Sequence, residues 1–164
     1  VANGLTTIGV TRILEGAFRN LYAGGAIPST GQWYIALATS DAVPSIAGTN
    51  TLGQLSTTNL IAEGNGYTHL TFGLDRNATD FDVLTNDTAN AYGLIQVKNA
   101  VWSAAGGSIP ASGTGAFYAL LTDDNATTSA REILGWWDLT SGRSVGAGAQ
   151  LTLEDLELRL TPTS

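Results

Sequence analysis

The chain has 164 residues, a formal net charge of −7, a hydrophobic share of 43% and a charged share of only 13%, about half the ~25% usual in globular domains. Lys98 is the single lysine, and Arg12, Arg19, Arg76, Arg131, Arg143 and Arg159 are scattered, which excludes the clustered cations that nucleic-acid binding needs. The chain contains no cysteine, so disulfides, thiolate metal sites and cysteine catalysis are excluded too.

A chain of this length buries roughly 70% of its unfolded surface, so a single domain over 1–164 is expected. Its surface must be built largely from Thr, Ser, Asn, Ala and Gly. Such a neutral surface suits a protein packed against other subunits better than one kept apart from its neighbours by charge. No run of about 18 apolar residues could span a membrane, and the N-terminus lacks a signal-peptide pattern. Cytosolic synthesis is expected, with Val1 following ordinary removal of an initiator Met.

From Thr6 to Tyr22, apolar residues fall at Val10, Ile13, Leu14, Ala17, Phe18 and Leu21, the spacing of one helix face. Thr6 or Thr7 can cap the start, Gly24-Gly25 can end it, and Pro28 prevents continuation. A helical segment over 1–25 is therefore expected to precede a β region over 32–164. Gln32 to Thr39 alternates Trp33, Ile35 and Leu37 with Tyr34, Ala36 and Ala38, apolar on both faces as an interior strand requires. Further strands are predicted at Tyr67 to Phe72, Tyr92 to Trp102, Ala116 to Thr122, Glu132 to Leu139 and Gln150 to Leu160. The spacing of short β runs and turn residues is that of a sandwich or barrel.

In the last run Leu151 and Leu153 share one parity, and Leu156, Leu158 and Leu160 the other. Either a β-bulge near Glu154-Asp155 restores the register, or the strand crosses between sheets there. Ser40 to Glu63 and Arg76 to Asn90 read as long irregular segments, the first place to look for a recognition surface.

His69 is the only histidine, so a His-based metal triad cannot be built. Acting alone as a general base, it would need an aligned nucleophile, and no GxSxG elbow marks one. A strand histidine bonded to a neighbour is the preferred reading. Asp75, Asp80, Asp82 and Asp87, with Asn77 and Asn86, form the densest set of oxygen ligands. A hard cation could use such a loop, with Asp80, Asp82 and Asp87 as candidate ligands, but the spacing is not that of an EF-hand and a solvated turn is preferred. Paired-carboxylate glycosidase chemistry cannot be assigned to any particular pair.

Asp123-Asp124-Asn125 reads as a turn, and Gly146-Ala147-Gly148, without the third glycine of a dinucleotide site, as a hairpin turn. Asn77-Ala78-Thr79, Asn86-Asp87-Thr88 and Asn125-Ala126-Thr127 match the glycosylation acceptor pattern. In a chain rich in Asn and Thr they are read as chance. No catalytic residue and no cofactor is expected. Trp136 and Trp137 are adjacent in a predicted strand and must point to opposite faces. One is then core, and the other needs a cover: the N-terminal helix, a second sheet or a neighbouring subunit. Trp136, Trp137, Tyr67 and His69 are the candidate interface residues.

The order "GQWYIALATSDAVP", "EGNGYTHLTFGL", "VWSAAGG", "ILGWWDL" and "VGAGAQLTLEDLELRL" resembles a group of small bacteriophage virion proteins of tail, fibre or capsid-decoration type. The resemblance spans most of the chain and departs at Asn50 to Ile61. It implies a mainly β, jelly-roll-like antiparallel sandwich with one N-terminal α-helix, assembled on a virion without catalytic residues. The first functional expectation is a cement protein on the capsid exterior, bound non-covalently to the major capsid protein and trimeric. The alternatives are a tail, baseplate or fibre protein contacting the host, and a carbohydrate-binding or hydrolytic β-sandwich.

Overall fold

The computed structural model describes residues 3–5, 32–45, 47–55, 59–75, 79–87, 89 and 92–160. The helix expected from Thr6 to Tyr22 lies outside them. The described chain is mainly β and its sheets are antiparallel, with single 3-10 turns at Ser40–Ala42, Leu52–Leu55 and Thr128–Ala130. The strands are β1 (Asn3–Leu5), β2 (Trp33–Ala38), β3 (Gly73–Leu74), β4 (Val83–Asp87), β5 (Tyr92–Val97), β6 (Ala100–Ser103), β7 (Ala116–Thr122), β8 (Ile133–Arg143), β9 (Gln150–Leu153) and β10 (Leu156–Leu160). One sheet has the order β1-β8-β7-β2-β3, a second β10-β5-β4, and β6 pairs with β9 alone.

β2 sits inside the five-stranded sheet and is covered on both faces, as its doubly apolar pattern requires. Trp33, Ile35 and Leu37 enter the main core with Ala119, Leu121, Trp137, Trp102 and Tyr67. Ala36 and Ala38 face a second, smaller core with Leu120 and Ile133. That face is closed by Ala42, Leu52, Leu55 and Leu60 from the stretches 40–45, 47–55 and 59–60. The segment expected to be irregular is thus partly a cover for the sheet. Backbone bonds fasten it: Thr39 N–H to Asn59 O at 2.8 Å, Leu52 N–H to Arg131 O at 3.0 Å and Ile133 N–H to Asn50 O at 2.8 Å. Alanines at 36 and 38 let it lie close to the sheet.

The run from Tyr92 to Trp102, expected as one strand, is two. β5 pairs with β10 as far as Val97↔Leu156, and β6 with β9 from Ala100↔Leu153. One antiparallel ribbon therefore passes from sheet to sheet, turning at Lys98-Asn99 on one strand and Glu154-Asp155 on the other. Of the two alternatives for the parity break among the leucines, crossing between sheets is the one the chain adopts. Asp155 takes a left-handed conformation, φ 55°, which aspartate tolerates better than most residues. Leu151, Leu153, Leu156 and Leu158 all reach the main core as a result.

The strand expected from Tyr67 to Phe72 is not formed. Gly64, Asn65 and Gly66 have φ of 130°, 54° and 97°, and two consecutive left-handed residues at Asn65-Gly66 reverse the chain immediately before Tyr67. A second turn follows, in which Thr71 N–H donates to Thr68 O at 3.1 Å and Thr68 N–H to the Thr71 hydroxyl at 2.7 Å. Only Gly73 and Leu74 remain extended, as β3. The Gly146-Ala147-Gly148 turn links β8 to β9, which belong to different sheets, so it does not close a hairpin.

The Asn65-Gly66 turn is plugged into the 103–108 loop: Ala105 N–H donates to Asn65 O and Asn65 Nδ2 to Ser108 O, both at 2.8 Å. A Cβ on Gly66 would overlap the Ser103 carbonyl oxygen, whereas Gly106, also left-handed, has open space. Gly106→Ala is expected to cost about 1–2 kcal/mol, for conformation alone. Gly66→Ala should cost a further ~1–3 kcal/mol for the overlap; the difference between their urea midpoints measures it.

Candidate functional site

The residues with the most reactive chemistry gather where the 63–71 segment meets β2 and the 123–132 loop. Tyr67 is fully buried. Its ring packs edge-on against Trp102, with centroids 5.9 Å apart, and against His69 at 5.7 Å. Its hydroxyl oxygen accepts the Leu37 N–H at 2.8 Å. β3 pairs with β2 only at Trp33 and Tyr34, so beyond that point the Tyr67 hydroxyl takes the place of a missing strand. Ile35 N–H goes to Phe72 O and Ile61 N–H to Leu37 O, completing that edge. Burial lifts the phenol far above its usual pKa and keeps it neutral.

His69 is held by Glu63, whose Oε1 accepts its backbone N–H at 2.7 Å and lies 2.8 Å from Nδ1. Its carbonyl accepts Arg131 Nη1–H at 3.2 Å, and Arg131 Nε–H donates to Asn125 O at 2.8 Å. Arg131 as a whole is only 2% exposed. Burial lowers its pKa, opposed by the charges of Asp123 and Glu63. Asp123 is also buried, and its Oδ1 accepts the Asn125 and Glu132 N–H groups. Burial raises its pKa against those bonds, assisted by the nearby charges of Glu132 and Asp124. The cluster ties two loops together: Glu63, Asp123 and Arg131 are each bonded to backbone, and the His69 ring meets Glu63 through Nδ1 and turns Nε2 to the interior.

The expected interface residues separate. Tyr67 and Trp137 are interior, 0% and 1% exposed, and are not available on the surface of this chain. Packing explains both: Tyr67 fills the gap beside β2, and Trp137 reaches across the core to donate Nε1–H to Glu157 O at 2.7 Å. Trp136 points to the opposite face, as adjacency in a strand demands, and is half-buried against Tyr118 at 6.2 Å between centroids. His69 is largely enclosed.

Asp82 is exposed, Asp87 ends β4 with its backbone opposite Tyr92, and Asp80 is buried. Among the described residues no group of three or more His, Asp or Glu side chains is placed to hold a metal ion. Asp80 has taken a cation from the protein itself: Oδ1 pairs with Lys98 Nζ, while Oδ2 accepts the Asp75 N–H at 2.6 Å. Lys98 also lies 5.5 Å from the Phe72 ring centre. The single lysine therefore pins Asp80, and through it the Asp75 backbone, to the ribbon corner, a role that no local pattern announces. A shallow groove beside that ribbon is lined by Leu139, Arg143, Thr152, Glu154 and Asp155.

Burial alone would raise the Asp80 carboxyl, but the Lys98 bond and charge and the Asp75 N–H outweigh it, leaving its pKa below the usual aspartate value. Stability from a depressed carboxyl is present above the unfolded value and lost as pH falls through the folded one. Asp80→Asn is thus expected to cost about 1–2 kcal/mol at neutral pH, discounted because Lys98 is partly hydrated. The deficit should begin to shrink as pH falls below about 3.9 and disappear only below the lower folded value; urea unfolding across pH checks both. No protein-family model, curated protein or solved structure matches the chain.

Proposed function

We propose that the chain is a structural protein of a bacteriophage virion, and most concretely a cement protein that binds the assembled coat-protein shell from outside. In this reading it is a single jelly-roll-like sandwich domain, acts as a trimer, and meets the major capsid protein through static contacts without catalysis. The order of sequence segments that resembles small virion proteins supports it.

The structural observation that carries the reading furthest is the outer face of the β6–β9 ribbon. Val101, Ser103, Gln150 and Thr152 project outward and are exposed, without a charged side chain among them. Charge depletion of this kind marks the centre of protein interfaces. The net charge of −7 suits the outside of a shell rather than a face against DNA.

A carbohydrate-binding reading has one observation in its favour, the half-buried Trp136 beside Tyr118 on the other side of the main sheet. The two separate experimentally. Incubated with empty shells, the protein should co-sediment at a fixed stoichiometry, and Val101→Asp together with Thr152→Lys should abolish this while leaving the urea midpoint nearly unchanged. Absence from shells with presence in isolated tails transfers the protein to the tail. A glycan-binding enthalpy lost on Trp136→Ala would replace the cement reading.

A further inference from the structure

The 63–71 segment is fastened to the rest of the protein through His69. A carboxylate can only accept, so the Glu63 bond at 2.8 Å places the proton of the neutral ring on Nδ1 and leaves Nε2 as a lone pair. Nε2 is enclosed and has no hydrogen-bond partner. Among the described residues, the charged and titratable groups around the ring are Glu63 on its own segment, Tyr67 edge-on beside it, and Arg131 from the chain entering β8, with Asp123 next to Arg131. Arg131 reaches the same residue through the His69 carbonyl, so a positive charge already lies buried on that side.

We propose that Glu63, His69 and Arg131 form an acid-sensitive latch: the 63–71 segment is held while His69 is neutral, and proton uptake at Nε2 loosens it from Arg131 and from the edge of β2.

Protonation would place a second cation in an enclosed site beside the guanidinium. Burial lowers the affinity of the ring for that proton most; attraction to Glu63 and to the Ile61 carbonyl opposes this, and Arg131 adds to it, with a net shift below the ordinary value. The unfolded chain therefore takes up its proton first as pH falls below about 6.5. Stability from the neutral ring is complete above that pH and is lost from there down to the folded value. The amides of Tyr67, Thr68, His69 and Thr71, all hydrogen-bonded within the segment, are the reporters.

Because the chain has one histidine, its ring resonances need no assignment. An NMR titration from about pH 8 to 4, with amide exchange corrected for intrinsic pH dependence, tests the latch. The expected midpoint is below about 6.5, and protection of the four amides should fall about tenfold or more relative to β7 over the same window. Glu63→Gln should move the midpoint further down, and His69→Gln should remove the pH dependence. A midpoint at or above about 6.5, unchanged protection across the transition, or pH dependence surviving in His69→Gln overturns the proposal.

Discussion

The buried hydrogen bond from Leu37 N–H to the Tyr67 hydroxyl closes the edge of β2 beyond the end of β3. β2 is the strand on which both cores are built, and an unpaired N–H in its middle would be a buried orphan. β3 is too short to reach it. The chain solves this with a side chain carried on a turn, and that solution dictates much else. Asn65-Gly66 must reverse the backbone so that Tyr67 enters the core. Ser103 must approach Gly66 closely, and Trp102 and His69 must pack around the ring. Removing the hydroxyl alone would leave the Leu37 donor buried and unpaired, which is why phenylalanine is a poor substitute in spite of its shape.

A second constraint is the turning ribbon. Its two strands change sheets together, and the parity of their buried residues changes with them, so a single core is lined from both sides of the corner. The corner needs residues able to leave the ladder, and Lys98-Asn99 and Glu154-Asp155 supply them. Lys98, freed from pairing there, is drawn to Asp80 and closes the adjacent loop. A chain with so little charge has used its one lysine internally.

The same economy runs through the polar residues that could have carried chemistry. Arg131, Asp123, Glu63 and His69 bind backbone and one another across two loops, while the outer face of β6–β9 is uncharged. Low charge is thus a property of a surface that can be covered, while Lys98, Asp80, Glu63, Asp123 and Arg131 are engaged in holding loops. A virion component that stays in one contact throughout its life is consistent with this distribution.

Alternation and parity, which depend only on neighbouring residues, determined β2 and β7 nearly to the residue, the opposed faces of Trp136 and Trp137, and a break at Glu154-Asp155. Those signals are local because a strand with one or two buried faces must repeat every second residue. What they could not carry was the partner. Tyr67 to Phe72 reads as a strand by alternation, yet the left-handed pair before it and the threonine turn within it override that pattern. Tyr92 to Trp102 reads as one β run interrupted only by polar residues such as Lys98-Asn99, and its division there becomes certain only when each half meets a different neighbour. The cover formed by Ala42, Leu52, Leu55 and Leu60, the Lys98–Asp80 pair, and the gathering of Glu63, His69 and Arg131 around one turn join residues far apart in the chain. Only the tertiary structure decided them, because the burial and hydrogen bonds that give these groups their roles do not exist until the sheets have come together.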